Sequence, residues 1–294
     1  MLSKQNIINT INSLSNKRKI FFSEADFQFA LSWELQRHMP KSDVRLEYSP
    51  AHIDPSRRID ILLKEEDEFY PIELKYVTAA CDTIVDGERY LLKNHGAQDI
   101  RRYDFLKDIM RIEKLIYNHN EYKKGYAIFL TNDCSYWTKS SAKETCDRDF
   151  RINQDEIKSG ELKWGEAAGI GTKRGREESL LLQGNYKLNW QDYSSISDEK
   201  WGKFKILIVE VENSKDITSV TNKYWVYENW VAEKKAVIHK DSCVFCNHGK
   251  GNNKNIHGNR NGKWHGEFSS FVEAEKFANT LKDREIRTCK KCII

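Results

Sequence analysis

The stretch RIDILLKEEDEFYPIELKY, residues 58–76, places charged side chains inside two runs that are otherwise typical of buried strands. Asp60 interrupts the apolar run 59–63, and Glu73 interrupts the second run, 70–77. An ionised carboxylate is costly to bury without a partner, so each acid must pair, become neutral or bind a cation. The question is which chemistry justifies acids at these two positions.

Pairing of the two runs as neighbouring strands would bring Asp60, Glu73 and Lys75 together. The charged segment between them, KEEDE, indicates a hairpin, and Glu73 and Lys75 share a face because strand side chains repeat every two residues. Two carboxylates and the backbone carbonyl of Leu74 are hard oxygen ligands suited to Mg²⁺ or Mn²⁺. Such a site suits phosphodiester hydrolysis, in which Lys75 would position the attacking water or offset charge on the phosphate.

The pattern around this stretch predicts an α/β domain. Its second half contains residues 134–203, a segment rich in Ser, Gly, Lys and Glu that we interpret as a long insertion with short elements of its own. The remaining periodic segments alternate between helix and strand. They are a helix over 23–39, strands over 44–48, 58–63 and 70–77, a helix over 97–118, and strands over 125–133 and 204–211.

Asp60, twelve intervening residues and the triplet Glu73-Leu74-Lys75 resemble the motif of the PD-(D/E)xK nucleases. The resemblance implies a restriction-endonuclease-like α-β-β-β-α-β core, and the predicted order of elements agrees with it. It further implies Mg²⁺- or Mn²⁺-dependent hydrolysis of nucleic acid. Ile59 stands where the family name has proline, a departure that is common in the superfamily.

Two further residues match positions of the same family. Glu24, at the start of the first helix, resembles the acid that completes the metal shell in many of these nucleases. Gln98, on the second helix, resembles the polar cluster that follows the lysine strand, although Tyr103 lies one residue too late for a strict QxxxY motif. The resemblance implies catalytic roles for both residues.

Segments such as GAQDIRRYDFLKDIMRIEKL, residues 96–115, also resemble restriction-endonuclease-like proteins of bacteria. This likeness implies a restriction or defence role, with double-stranded DNA as the expected partner. Paired cuts in a duplex would indicate a homodimer or two sequential nicks, and the sequence leaves these open. A surface hairpin held by salt bridges is the plain alternative for the motif itself.

Composition sets outer limits on these interpretations. The chain of 294 residues is 39% hydrophobic and 12% aromatic, which is enough to bury a full core. Its net charge of +4 is too small to identify a nucleic-acid binder by itself. No apolar run is long enough for a membrane span or a secretory signal, so we expect a cytoplasmic protein with no membrane partner.

The carboxyl-terminal part, residues 231–294, has a different composition and forms a predicted second domain after residues 1–230. It carries a net charge of +6, against −2 for the rest of the chain. Two CxxC pairs frame it, Cys243 with Cys246 and Cys289 with Cys292. In a reducing compartment, such pairs favour a structural zinc ion held by four thiolates, with His248, His257 or His265 as substitute ligands.

Between the pairs lie a predicted helix over 269–281 and the loop GKGNNKNIHGNRNGKW, residues 249–264. The loop has no apolar periodicity and offers cations, amides and an aromatic ring, which suit contacts to phosphates and stacking on a base. A plain surface loop is the alternative. The candidate nucleic-acid contacts are Lys250, Lys254, Arg260, Lys263 and Trp264.

Two other functions compete with the nuclease. One is a nuclease-like fold that has lost catalysis and binds nucleic acid or a protein partner. The other places an HNH-like nuclease in the zinc module, because some HNH folds are braced by CxxC pairs. Against it, the sequence has no DH or HH dipeptide to supply the usual base, which leaves His265 as the residue to test.

Overall fold

The computed structural model describes residues 2–51, 53, 57–139, 145–212, 223–231, 234–241, 243–247, 249, 251, 261–268 and 271–293. The chain forms two compact units of mixed α/β structure, Met1–Asp216 and Ile217–Ile294. None of the five helices in the described part of the chain combines the length and apolar character needed to cross a membrane.

The first unit contains four α-helices and ten strands among its described residues. The helices are α1 (Lys4–Lys17), α2 (Glu24–His38), α3 (Gln98–Asn118) and the short α4 (Ile170–Lys173). The strands are β1 (Asp43–Tyr48), β2 (Ile59–Glu65), β3 (Glu68–Val77), β4 (Cys81–Val85), β5 (Glu88–Leu92), β6 (Lys124–Thr131), β7 (Ile157–Leu162), β8 (Leu180–Lys187), β9 (Trp190–Ser195) and β10 (Lys203–Glu212).

Six of these strands form one mixed sheet in the order β1-β2-β3-β6-β10-β9. Only β3 and β6 run parallel, because α3 connects them as a crossover helix. The other neighbours in this sheet are antiparallel. The strand pair β2–β3 is the hairpin expected from the charged segment, with Ile61 opposite Ile72 and Glu65 opposite Glu68.

The sheet is covered by a hydrophobic core on each face. Alternation along β3 sends Ile72 and Leu74 into the core shared with α1 and α2. The opposite face packs against α3, whose apolar stripe includes Leu106 and Ile109, and Val77 of β3 belongs to that core. Glu73 and Lys75 alternate with Ile72 and Leu74, so they lie on the α3 face.

The predicted insertion, 134–203, does contain short elements, but it is part of the core. Its last strand, β9, is the edge strand of the main sheet beside β10. The β7–β8 hairpin packs on α3, where the buried carboxylate of Glu113 accepts hydrogen bonds from Gln183 N (3.0 Å) and Tyr186 Oη (2.6 Å). Short polar strands of this kind gave no clear sequence pattern.

Two further elements were not predicted. Helix α1 begins at a Ser3 capping box and buries Ile7, Ile11 and Leu14 against the core, although its many Asn and Ser residues mask this stripe. The β4–β5 hairpin turns at Asp86 and Gly87, both with positive φ, in a sequence otherwise dominated by charges.

The second unit contains a sheet in the order β13-β11-β12-β14 and one helix. The strands are β11 (Tyr224–Asn229), β12 (Lys235–Lys240), β13 (Gly262–Phe268) and β14 (Glu285–Thr288), and the helix is α5 (Phe271–Ala278). The predicted helix over 269–281 is therefore present and shorter. Ala274 and Ala278 of α5 pack on Val226 and Ile238 in a small core.

The boundary between the units differs from the expected 231. The run YWVYENWV, residues 224–231, contains β11, which pairs antiparallel with both β12 and β13. In the sheet of the second unit, β11 lies between β13 and β12. The boundary between the two units therefore falls between Asp216 and Ile217, before β11. The amino-acid composition changes only after β11, but the strands that pair with β11 lie after that change. Composition therefore placed the boundary too late.

Candidate functional site

Asp60 and Glu73 lie where the β2–β3 hairpin stops pairing. The last backbone pair is Ile61 with Ile72, and the two acids are the next residue along each strand. Because directly opposed residues of antiparallel strands project to one face, the acids lie on the same side of the sheet. The expected convergence of the two carboxylates is consistent with this register.

Beyond the last β2–β3 pair, carboxylates accept the hydrogen bonds of backbone N–H groups of β3. Asp60 Oδ2 accepts a hydrogen bond from Leu74 N at 2.6 Å, and Glu24 Oε2 accepts one from Tyr76 N at 2.8 Å. Glu24 is the first residue of α2, directly after the Ser23 N-cap. The two carboxylates therefore take the place of backbone acceptors along β3, which brings Glu24 to the same edge as Asp60.

Lys75 is held by an acid that the sequence did not single out. Its Nζ lies 2.7 Å from Asp108 Oδ2 on α3 and 3.1 Å from the carbonyl oxygen of Leu74. Asp108 is buried and also pairs with Arg111 at 3.2 Å. The sequence around Asp108 does not indicate this role, since Asp108 lies in the middle of a helix. It reaches Lys75 because the crossover connection places α3 over β3.

Burial dominates the electrostatics of this site. It raises the pKa of Asp60 to about 6, and the charges of Glu24 and Asp108 add to the shift. Burial, followed by repulsion from Asp108 and Asp60, also raises the pKa of Glu73 well above its ordinary range. Burial alone would lower the pKa of Lys75, but Asp108 outweighs it and the pKa is raised.

A hard divalent cation fits these donors. Glu73 is only 5% exposed, and its buried Oε1 has no hydrogen-bond partner among the described residues. Within those residues, no three acids of this site have carboxylate oxygens that all lie within 4.8 Å of one another. The ligand set expected from the sequence is Asp60, Glu73 and the carbonyl of Leu74, and that carbonyl oxygen also accepts a hydrogen bond from Lys75 Nζ at 3.1 Å.

A cavity of about 310 Å³ adjoins Lys75. Glu24 and the charged face of α3 line it, together with Gly175 and Arg176 from the insertion. Sequence reasoning missed this wall, because Arg176 reaches α3 only through the packing of the β7–β8 hairpin. The lining is mostly charged, and it includes the Lys75 side chain of β3.

Gln98, the predicted catalytic residue on α3, contacts a different part of the unit. Its Nε2 donates to Asp133 Oδ2 at 3.0 Å, after the end of β6. Nearby, Arg102 is buried and pairs with Asp147 at 2.7 Å, and the hydroxyl of Tyr103 donates to the carbonyl of Glu178 at 3.0 Å. These contacts give the polar cluster on α3 a structural role, and a catalytic role for Gln98 stays a prediction.

The second unit contains a compact group of metal-ligand side chains. Ligand atoms of His239, Cys243, Cys289 and Cys292 all lie within 4.8 Å of one another, so this group could hold a structural metal such as zinc. The Sγ atoms of Cys243 and Cys289 are 4.0 Å apart, and His239 Nδ1 lies 3.5 Å from Cys243 Sγ.

This group differs from the expected four-cysteine set in one member, because it contains His239 and not Cys246. Strand β12 alternates, with Ile238 in the α5 core and Val237 on the cysteine face, so His239 also faces the cysteines. Cys246 is buried beside the group, and its Sγ accepts a hydrogen bond from Gly249 N at 3.3 Å.

The pKa values in this group shift in different directions, and burial raises the pKa of Cys292 to about 12. Burial lowers the pKa of His239 to about 4, which leaves its ring neutral and able to donate a lone pair. Burial alone would raise the pKa of Cys243, but backbone N–H groups of Phe245 and Cys246 and the thiols of Cys289 and Cys292 lower it overall. The alternating pattern of β12 was the sequence signal that could have identified His239.

The expected nucleic-acid contacts are only partly described. Lys250, Lys254 and Arg260, like the substitute ligands His248 and His257, lie outside the described residues. Lys263 is exposed on β13. Trp264 belongs to the same strand rather than to a loop, and its ring packs against Tyr227 and His239.

His265, the residue left to the HNH alternative, is outside the metal-ligand group. Its Nε2 lies 2.9 Å from Glu228 Oε2, and its ring packs on Phe277. These contacts hold β13 to β11 and α5. Comparison of the sequence with models of known protein families and with curated proteins gives no match.

Proposed function

We propose that the first unit is a metal-dependent endonuclease of the PD-(D/E)xK type, which hydrolyses phosphodiester bonds in DNA. The observation that carries this proposal is the placement of Asp60 and Glu73 at adjoining positions where β2 and β3 stop pairing, with Lys75 on the same face. The order of α2, β1, β2, β3, α3 and β6 agrees with the core that this class implies.

The roles of the residues follow from their contacts. Asp60, Glu73 and the carbonyl of Leu74 would hold Mg²⁺ or Mn²⁺, while Glu24 fixes the strand edge through Tyr76 N and adds negative charge. The bound cation would polarise the phosphoryl oxygen and acidify a water molecule. Lys75, kept charged by Asp108, would offset the negative charge that develops on the phosphate.

The second unit would contribute a zinc-braced module. We propose that zinc is held by Cys243, Cys289 and Cys292 with His239 as the fourth ligand. The small core around Val226 and Ala274 is too limited to stabilise such a unit well by itself, so a structural metal would add the missing stability. The basic composition of 231–294 supports a role in holding DNA, in line with a restriction or defence function.

Cleavage of supercoiled plasmid and linear duplex DNA in Mg²⁺ or Mn²⁺ tests the nuclease. We expect Asp60→Asn, Glu73→Gln and Lys75→Ala to lower the cleavage rate about 100-fold or more. Amide replacements are preferred for the acids because an amide oxygen at position 60 keeps an acceptor for Leu74 N. Cleavage ends mapped on a random-sequence library would then define the recognition site.

Matched controls separate the site from general damage. Asp82→Asn removes an exposed carboxylate on β4, and Lys114→Ala removes an exposed cation of α3; both should cleave as wild type does. Undiminished cleavage by Asp60→Asn would remove the site assignment. DNA retention without cutting in any metal would instead establish the inactive binding protein, and loss of cleavage only in His265→Ala would favour the HNH alternative.

A further inference from the structure

Charged residues at three- and four-residue spacing form one face of α3 and line the cavity beside Lys75. Because residues at this spacing lie on the same side of a helix, they present a continuous polar surface. Arg176 from the segment before β8 forms part of the same wall. The charged side chains from these two elements are Arg101, Asp104, Lys107, Asp108, Arg111 and Arg176.

Every acid on this face is already paired. Asp104 forms a two-pronged ion pair with Arg176, at 2.7 Å to Nε and 2.8 Å to Nη2. Asp108 pairs with Lys75 at 2.7 Å and with Arg111 at 3.2 Å. The carboxylates of α3 are therefore used to position other cations, and Glu24 of α2 is the remaining acid in the cavity lining.

Arg101 and Lys107 are the remaining cations. Neither forms an ion pair within the described part of the chain, and Lys107 Nζ lies 5.8 Å from the centroid of the Tyr103 ring. Both side chains are half-buried, so water screens them less than it screens a fully exposed charge. Glu177 of the insertion accepts a hydrogen bond from Gly175 N at 2.9 Å, and this bond, together with a smaller effect of the charge on Lys107, lowers its pKa.

We propose that Arg101 and Lys107 bind a backbone phosphate of a polynucleotide that neighbours the phosphate held at Lys75. This proposal rests on the proposed function and adds a substrate requirement, namely a chain with more than one phosphodiester. A guanidinium provides directed donors to a phosphate and an ammonium provides a point charge, so each of these cations in the cavity lining suits an anionic group. Both residues are binding residues and not catalytic ones.

Binding of duplex oligonucleotides without added Mg²⁺ or Mn²⁺ and without a chelator, so that the second unit keeps its metal, tests the site directly. We expect Arg101→Ala and Lys107→Ala each to weaken binding about tenfold and to reduce the slope of log affinity against log salt by about 1. DNA and RNA duplexes of one sequence distinguish the two sources of the same phosphate chemistry. Lys114→Ala, on the exposed side of α3, is the matched control and should leave binding unchanged.

Cleavage of substrates of different length separates binding from chemistry. Bis(p-nitrophenyl) phosphate contains a single phosphodiester, so Arg101→Ala and Lys107→Ala should lower its kcat/KM in Mn²⁺ much less than the kcat/KM for a duplex, whose KM should rise several-fold. Equal losses on both substrates, or unchanged duplex binding, would overturn the phosphate site. A wild-type protein that cuts neither substrate contradicts the nuclease, whereas the binding measurement still decides the phosphate site.

Discussion

Asp60 and Glu73 are carboxylates that the fold holds away from water without a full set of neutralising partners. Asp60 has the N–H of Leu74 as a hydrogen-bond donor, and Lys75 is shared with Asp108. The free energy of folding therefore includes an electrostatic penalty at this position, which a bound cation would relieve. Such strain is typical of sites built for ligands rather than for stability.

This penalty predicts an unusual pH dependence for the metal-free protein. The pKa of Asp60 rises from 3.8 to about 6 on folding, so folding takes up a proton between these values. The free energy of unfolding should then fall as the pH rises through this window and stay lower above it. Asp60→Asn should be more stable than wild type at pH 8 in EDTA, by up to about 3 kcal/mol, with the difference vanishing near pH 4.

Chemical denaturation at pH 4, 6 and 8 measures this effect. Asp82→Asn is the control, because Arg89 lowers the pKa of that exposed carboxylate and its removal should not reproduce the gain. Added Mg²⁺ should stabilise wild type more than Asp60→Asn. A variant that is less stable than wild type at pH 8 would mean that the carboxylate contributes to folding as it stands.

Sequence reasoning singled out Asp60, Glu73 and Lys75 because charged residues inside apolar runs are visible without a structure, whereas Glu24 came from the family resemblance. Asp108 could not be found in the same way. It lies on a helix with many charges, and only the packing of α3 over β3 selects it as the partner of Lys75. Local sequence patterns reveal charged residues inside apolar segments. Tertiary contacts determine which charged neighbours pair with them.

At the scale of elements, the alternation of helix and strand was predictable because long periodic segments form the core. The helix expected over 97–118 is α3, Gln98–Asn118, and the strand expected over 204–211 is β10, Lys203–Glu212. The β9 strand at the sheet edge was not predictable, since six residues of mixed polarity gain their strand structure from pairing with β10. Short edge elements depend on their neighbours more than on their own sequence.

Close packing of α3 on β6 gives a prediction at this scale. A Cβ at Gly125 would clash with the Ile112 side chain and would lie 3.0 Å from the carbonyl oxygen of Pro71. Gly125→Ala should therefore lower the free energy of unfolding by about 1–3 kcal/mol through overpacking. Thermal or denaturant unfolding measures the change.

Gly96→Ala provides the matched substitution. A Cβ at Gly96, just before α3, meets no atom within 4 Å, so this variant should keep wild-type stability. Equal stability of the two variants would indicate that α3 shifts readily over β6. Such mobility would also loosen the contact between Asp108 and Lys75.

At the scale of the whole chain, the two units have separate hydrophobic cores and separate sheets. Composition predicted a boundary near residue 231, whereas the second unit also contains β11, because this strand pairs with β12 and β13. The CxxC pairs predicted a metal group, while His239 entered it through the alternation of β12. The boundary between the two units depends on which strands pair, and amino-acid composition does not indicate strand pairing.

Metal removal should affect the two units differently. We expect a chelator to increase hydrogen exchange in β11, β12 and β14 while β3, β6 and β10 keep their protection, because the cysteine and histidine group that would hold a structural metal belongs to the second unit. Hydrogen-exchange mass spectrometry resolves the units within one sample. Loss of protection throughout both units would contradict independent folding.

Ligand substitutions refine the same experiment. His239→Ala and Cys289→Ser should lower the zinc content and reproduce the exchange pattern of chelation, whereas Cys134→Ser in the first unit should not. A full loss of zinc in Cys246→Ser, with zinc retained in His239→Ala, would restore the four-cysteine set.

The distribution of the metal ligands along the chain has a consequence for biosynthesis. His239 and Cys243 emerge from the ribosome well before Cys289 and Cys292, and β14 must pair with β12 to bring the last two thiols to the group. Residues up to 216 already have every strand of their own sheet by then. During synthesis, the first unit could therefore fold before the second unit can complete its metal group. In that interval the second unit would be exposed to proteases and its thiols to oxidation.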